Sequence, residues 1–151
     1  MSQSLAHVTV HLVFSTKDRQ RFLVDDELRE EMHRQLGGVS KALGCPPLRV
    51  GGVEDHVHLV GSLGRSISLA EWVKELKRTT SRWIKEHAPS CSSFGWQSGY
   101  GAFSVSHSEI DRVVDYVERQ REHHRIRDFQ AEHRLLLERH NVPYDERYVW
   151  D

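Results

Sequence analysis

Ala6, Val8, Val10, Leu12 and Phe14 alternate with His7, Thr9, His11 and Val13, the period of two expected of a strand with one face in a core. An acidic start at Asp25-Asp26-Glu27 then gives way to Leu28, Met32, Leu36 and Val39 at helical spacing before Gly44-Cys45-Pro46-Pro47, which predicts a helix of about four turns. Two short apolar runs, Leu48 to Val53 and His56 to Leu63, are joined by Glu54-Asp55 and read as a hairpin. Ser66 or Ser68 can cap the next helix, whose inner stripe is Leu69, Trp72, Val73, Leu76, Trp83 and Ile84 ahead of Pro89. Tyr100 to Val105 reads as another strand. Ser106 or Ser108 then caps a third helix in which Ile110, Val113, Val114 and Val117 form the buried stripe. Phe129 to His140 is a last helix before a tail over 141–151.

The order strand, helix, strand, strand, helix, strand, helix implies an α+β fold of the ferredoxin-like (RRM-like) split βαβ kind. Such a fold has an antiparallel sheet with helices on one face, to which this chain adds a C-terminal helix and tail. A length of 151 residues suits a single domain over 1–151. With 21 basic against 22 acidic side chains, bulk charge demands neither a nucleic-acid nor a membrane partner, so any DNA-binding surface has to be local. Cys45 and Cys91 stand far apart with no ligand or redox spacing, as expected in a reducing compartment. No stretch approaches the roughly 20 apolar residues that span a bilayer, and a cytoplasmic protein is expected.

Chemistry concentrates in Glu54-Asp55-His56-Val57-His58 and in Asp115-Tyr116-Val117-Glu118-Arg119-Gln120. Residues two apart in a strand share a face, so His56 and His58 present two imidazoles together while Val57 and Leu59 enter the core. Residues four apart on a helix are neighbours, so Tyr116 and Gln120 share a flank, rotated away from the apolar stripe, and could meet the same metal ion as nucleophile and third ligand. Asp55 is either a turn residue or an acceptor that orients an imidazole. His123, with His124, either assists proton transfer near the tyrosine or sits at a solvated helix end. On the second helix Lys74, Lys77, Arg78, Arg82 and Lys85 fall at helical spacing and form either a strip that follows a phosphate backbone or a solvated face. Arg119 adds a phosphate donor near Tyr116.

His56-Val57-His58 resembles the histidine, hydrophobic, histidine motif of the HUH endonuclease superfamily, and Tyr116 with Gln120 resembles the helix of its single-tyrosine transposases. The segments His11-Leu12-Val13-Phe14-Ser15-Thr16-Lys17, 96–106 and 144–150 extend the likeness over nearly the whole chain. The resemblance implies cleavage and rejoining of single-stranded DNA, with Tyr116 forming a covalent 5′-phosphotyrosine link. It also implies a magnesium or manganese ion held by His56, His58 and Gln120, recognition of DNA hairpins, a homodimer in which one subunit's tyrosine helix can complete the other's site, and action on the nucleoid of a prokaryote. Two other classes stay open. A nucleotide transferase with a histidine nucleophile usually carries a third alternating histidine, where this chain has Val60. A catalytically silent or domesticated module could bind single strands or hairpins on the same sheet.

Overall fold

The computed structural model describes residues 2–122 and 127–151. Strands β1 (Thr9–Ser15), β2 (Pro47–Gly52), β3 (His56–Ser62) and β4 (Gly101–Val105) form an antiparallel sheet in the order β2-β3-β1-β4. That is the strand order of the split βαβ fold. Helices α1 (Asp26–Ala42) and α2 (Leu69–His87) connect the strands, and α3 (Ile110–Glu118) and α4 (Phe129–Arg139) follow β4. Asp25 and Ser68 cap α1 and α2 by accepting the backbone N–H of Leu28 and Glu71. Neither Ser106 nor Ser108 caps α3. A 3-10 turn over His107–Glu109 intervenes, closed through backbone groups when Glu109 N–H donates to the Ser106 carbonyl.

The two faces of the sheet are covered by different helices. Leu12, Phe14, Val57 and Leu59 pack with Met32 and Leu36 of α1 and Trp72, Leu76 and Ile84 of α2. The indole N–H of Trp72, the one polar group of that large side chain, donates to Ser40 Oγ at 3.0 Å, so its burial leaves nothing unsatisfied. On the opposite face Val13 and Phe103 meet Phe129, Leu136 and Leu137 of α4. The expectation of helices on one face therefore holds for α1 and α2, while α3 and α4 take the other. This second layer also corrects the reading of β1 as half-buried, because all of Thr9–Ser15 is buried. Ala6 and Val8 precede the strand and lie exposed.

Gly51 decides how near α3 can come. A Cβ at this position would sit 2.3 Å from the Val117 carbonyl oxygen, so only glycine lets the end of α3 rest on β2. Gly51 pairs with His58 across the β2–β3 ladder. The close approach thus delivers the C-terminal end of α3 to the histidine pair. Val117 is fully buried there, while Ile110, Val113 and Val114 of the expected stripe are only half-buried. Among the described residues, no helix is long and apolar enough to cross a membrane.

Candidate active site

Strand alternation places the imidazoles of His56 and His58 on the α3/α4 face, with ring centroids 5.2 Å apart and both side chains buried. Each ring is held by its Nδ1. Asp55 Oδ1 lies 2.7 Å from that atom of His56, so Asp55 takes the orienting position, and His11 Nε2 lies 2.7 Å from that atom of His58. Both Nε2 atoms consequently face the same point, the usual arrangement when a second partner fixes the ring of a ligating histidine.

Glu132 of α4 occupies that point. Its Oε1 is 2.9 Å from His58 Nε2 and 3.2 Å from His56 Nε2, and its Oε2 accepts the Tyr116 hydroxyl at 2.5 Å. Gln120 Oε1 approaches His56 Nε2 at 3.3 Å. One carboxylate thus joins both histidines to the tyrosine within a single chain.

Gln120 follows the end of α3 at Glu118, so it does not share one continuous helix with Tyr116, and it is 1% exposed. The break after Glu118 lets its amide turn inward, with Nε2 donating to the Tyr116 carbonyl at 3.3 Å. His123 lies outside the described residues.

Charge is redistributed strongly across the cluster. Burial alone would lower His56, but the hydrogen bonds and charges of Asp55 and Glu132 outweigh it and raise its pKa to about 9. Burial disfavours an ionised Glu132, yet the His58 charge and the hydrogen bonds from both histidines hold its carboxyl well below the usual range. Burial, reinforced by the Glu132 charge, pushes the Tyr116 phenol well above its ordinary value. His11 is held well below its ordinary value, first by burial and then by the neighbouring His58. The resting centre is therefore an ionised carboxylate between imidazoles, with a phenol kept protonated against it.

Ligand atoms of His56, His58 and Glu132 all lie within 4.8 Å of one another, close enough to hold one metal ion. Two imidazoles with a hard carboxylate oxygen fit a divalent cation such as manganese or magnesium better than imidazoles and an amide alone. Glu132 escaped the sequence reading, although a signal exists. It falls on the same helical stripe as Phe129, His133 and Leu136, all buried, and a glutamate inside an apolar stripe needs a partner.

The family described as "Transposase IS200 like" matches residues 4–120, a span that contains both histidines, Tyr116 and Gln120. The chain belongs to that family. A Deinococcus radiodurans R1 protein assigned as a transposase shares its fold with a TM-score of 0.64 at 23% identity, over 80% of this chain and 98% of the other. A REP-associated tyrosine transposase bound to a REP hairpin superposes with a TM-score of 0.54 at 15% identity, over 78% of this chain and 70% of that one. No curated protein gives a significant match. Glu132 lies beyond the segment that carries the family match.

In this member of the family the basic strip of α2 is not gathered around the tyrosine. It belongs to the helix that packs on the opposite face of the sheet. Lys77 in particular turns inward: its ammonium donates to the carbonyls of Gln97, Ser98 and Gly99 at 2.8, 3.2 and 2.6 Å and lies over the rings of Phe14 and Tyr100. Burial lowers its pKa to about 8. Lys77 is thus a staple for the 97–99 loop rather than part of an open cationic row. Arg78 pairs with Glu75, and Arg119 with Asp115. Lys74, Arg82 and Lys85 remain exposed.

Proposed function

We propose that the protein cleaves and rejoins single-stranded DNA, with Tyr116 as nucleophile, on strands presented by DNA hairpins. The observation that carries this reading is the convergence of both His56 and His58 Nε2 and the Tyr116 hydroxyl on the Glu132 carboxylate, with the Gln120 amide oxygen beside His56 Nε2. His56, His58 and Glu132 would hold a divalent cation, magnesium or manganese, with Gln120 beside them. When bound, it would stabilise negative charge on the phosphate oxygens. Glu132 would lower the net charge of that centre by one relative to a set of neutral ligands.

The chain's own groups account for the rest. Asp55 and His11 fix the two rings so that their Nε2 atoms stay aimed at one point. Glu132 holds the phenolic proton and accepts it as the tyrosine oxygen bonds to phosphorus; the bond from phosphorus to the 3′ oxygen breaks, and that oxygen leaves and takes up a proton. A phenolate is a better leaving group than an alkoxide, so the covalent link can be reversed by a 3′-hydroxyl without a nucleoside triphosphate. One observation favours a second reading, a hairpin-binding module without cleavage. Burial, together with the carboxylate that touches it, keeps the Tyr116 phenol far from ionisation at rest.

Covalent capture separates the two. With magnesium or manganese and single-stranded oligonucleotides tiled from DNA flanking the gene, a mass-shifted Tyr116 peptide is expected. It should vanish on chelation and in Tyr116→Phe, which still binds the oligonucleotide. Full cleavage by Tyr116→Phe would refute the assignment, and tight hairpin binding by the wild type with no adduct would establish the binding module instead.

A further inference from the structure

A groove of about 630 Å³ opens beside Tyr116 on the α3/α4 face. Its α3 wall carries Arg112, Val113 and Tyr116, and its α4 wall carries Leu136 and Arg139. Phe103 of β4 forms the floor, with His140 tilted over its ring at a centroid distance of 4.8 Å. The outer edge of β4, the last strand in the sheet order, borders the opening. The groove thus mixes apolar side chains with two cations and the one carboxylate of Glu109, is bordered by a strand edge, and has the candidate nucleophile among its lining residues.

We propose that this groove holds one nucleotide of the single strand next to the scissile phosphate, its base between Val113, Leu136 and the exposed His140 ring that covers Phe103, and its phosphates against Arg112 and Arg139. The inference rests on the strand-cleavage reading and names where the substrate lies. Its volume falls within the range of small-ligand sites, roughly 300–1,000 Å³. That suits an unstacked nucleotide and excludes a duplex. Stacking on aromatic and apolar faces combined with cations along the backbone is how single strands are held without base pairing. Arg139 is exposed and, among the described residues, makes no ion pair, so its charge is available to a phosphate. Arg112 is already shared with Glu109 at 2.9 Å and contributes less.

The probe is thymidine 3′,5′-bisphosphate, one base and one sugar with a phosphate on either side, followed by chemical shifts in the intact protein. Saturable shifts are expected at Phe103, Val113, Leu136 and His140, with much smaller ones from inorganic phosphate alone. Arg139→Glu, a change at an exposed position, should weaken binding at least tenfold. Val105→Trp, on the same strand face as Phe103, should fill the groove and remove the shifts while the protein stays folded. Shifts that are absent, that map to another surface, or that are unchanged in both variants overturn the proposal. If the tyrosine adduct forms while the bisphosphate fails to bind here, the groove assignment alone falls. If the bisphosphate binds here and no adduct ever forms, the groove stands as a nucleotide site and strand cleavage falls.

Discussion

The two faces of the sheet are made from the same strands and have opposite characters. Toward α1 and α2, alternate residues of β1 and β3 supply Leu12, Phe14, Val57 and Leu59 to a dry core. Toward α3 and α4, the intervening positions supply His11, His56 and His58, all buried, to a cluster closed by a buried glutamate. Apolar burial stabilises the first face without regard to direction, whereas the second depends on each polar group finding its partner. The chemistry is thus confined to one side of the sheet, where it adjoins a smaller apolar cluster of Val13, Phe103, Phe129, Leu136 and Leu137. Substitutions a single residue apart in β3 should have different consequences.

The largest effect on the fold is expected from Leu59→Ala. Leu59 is 1% exposed, and truncating such a leucine costs about 2–5 kcal/mol through lost burial and the cavity left behind. Urea denaturation should show that loss, while metal affinity measured well below the transition stays at the wild-type value. A matching loss of metal affinity would show that the two faces are coupled.

Gly51→Ala tests the contact that joins them. The added methyl would meet the Val117 carbonyl, so α3 has to retreat from β2. Overpacking of this kind costs about 1–3 kcal/mol. The functional loss should exceed the stability loss, because Tyr116 and Gln120 move away from His56 and His58 together. Adduct formation should fall at least tenfold at temperatures where circular dichroism shows an intact fold, and wild-type adduct yield would show that α3 need not lie so close.

How much of this contrast was legible in the chain follows from what each signal measures. The period of two in β1 and β3 placed His56 and His58 on one face and Val57 and Leu59 on the other, as found. Helical spacing placed α1, α2 and α4 close to their observed spans. Periodicity reports which residues avoid water, and a fourth helix covering the polar face left no separate mark on β1, which therefore read as half-buried. The spacing of four set Gln120 beside Tyr116, whereas the end of α3 at Glu118 and the burial of Gln120 depend on packing that local propensity does not report. Glu132 and His11 belong to the site through contacts 74 and 47 residues away along the chain, which no local pattern encodes. The basic strip of α2 was visible as spacing, but only tertiary structure shows that Lys77 is spent on backbone carbonyls and that the strip faces away from the tyrosine.

An acid limb should also trace to buried histidines. Burial lowers the pKa of both His133 and His33 to about 4, and among the described residues His133 Nδ1 and His33 Nε2 have no hydrogen-bond partner. Above the unfolded value of about 6.5 both states carry neutral rings, so stability is at its full value. As pH falls from there toward about 4, the unfolded chain binds protons that the fold refuses and stability declines, by at most about 1.4 kcal/mol per pH unit for each ring. His133→Phe, among Phe103, Phe129 and Trp150, should remove its share of that slope. An unchanged slope between about pH 7 and pH 4.5 in urea titrations would assign the acid limb to other groups.

The smallest effect gives the finest comparison, because the same cap occurs on both faces. Asp25 accepts Leu28 N–H at the start of α1, and Asp128 accepts Ala131 N–H at the start of α4, each at 2.8 Å. Replacing either with alanine removes one satisfied N–H at a helix start, which costs about 1 kcal/mol. Global stability should therefore fall by similar amounts in Asp25→Ala and Asp128→Ala. The two should part in local opening. Glu132 lies one turn inside α4, so fraying there releases the carboxylate that holds His56, His58 and Tyr116, whereas fraying of α1 releases only structural packing. Hydrogen exchange should quicken at residues 129–133 in Asp128→Ala alone, and the pKa of His56 should drop from about 9 toward the ordinary imidazole value in that variant alone. Equal shifts in both variants would mean that the polar face opens only with the whole molecule and has no separate mobility for catalysis to draw on.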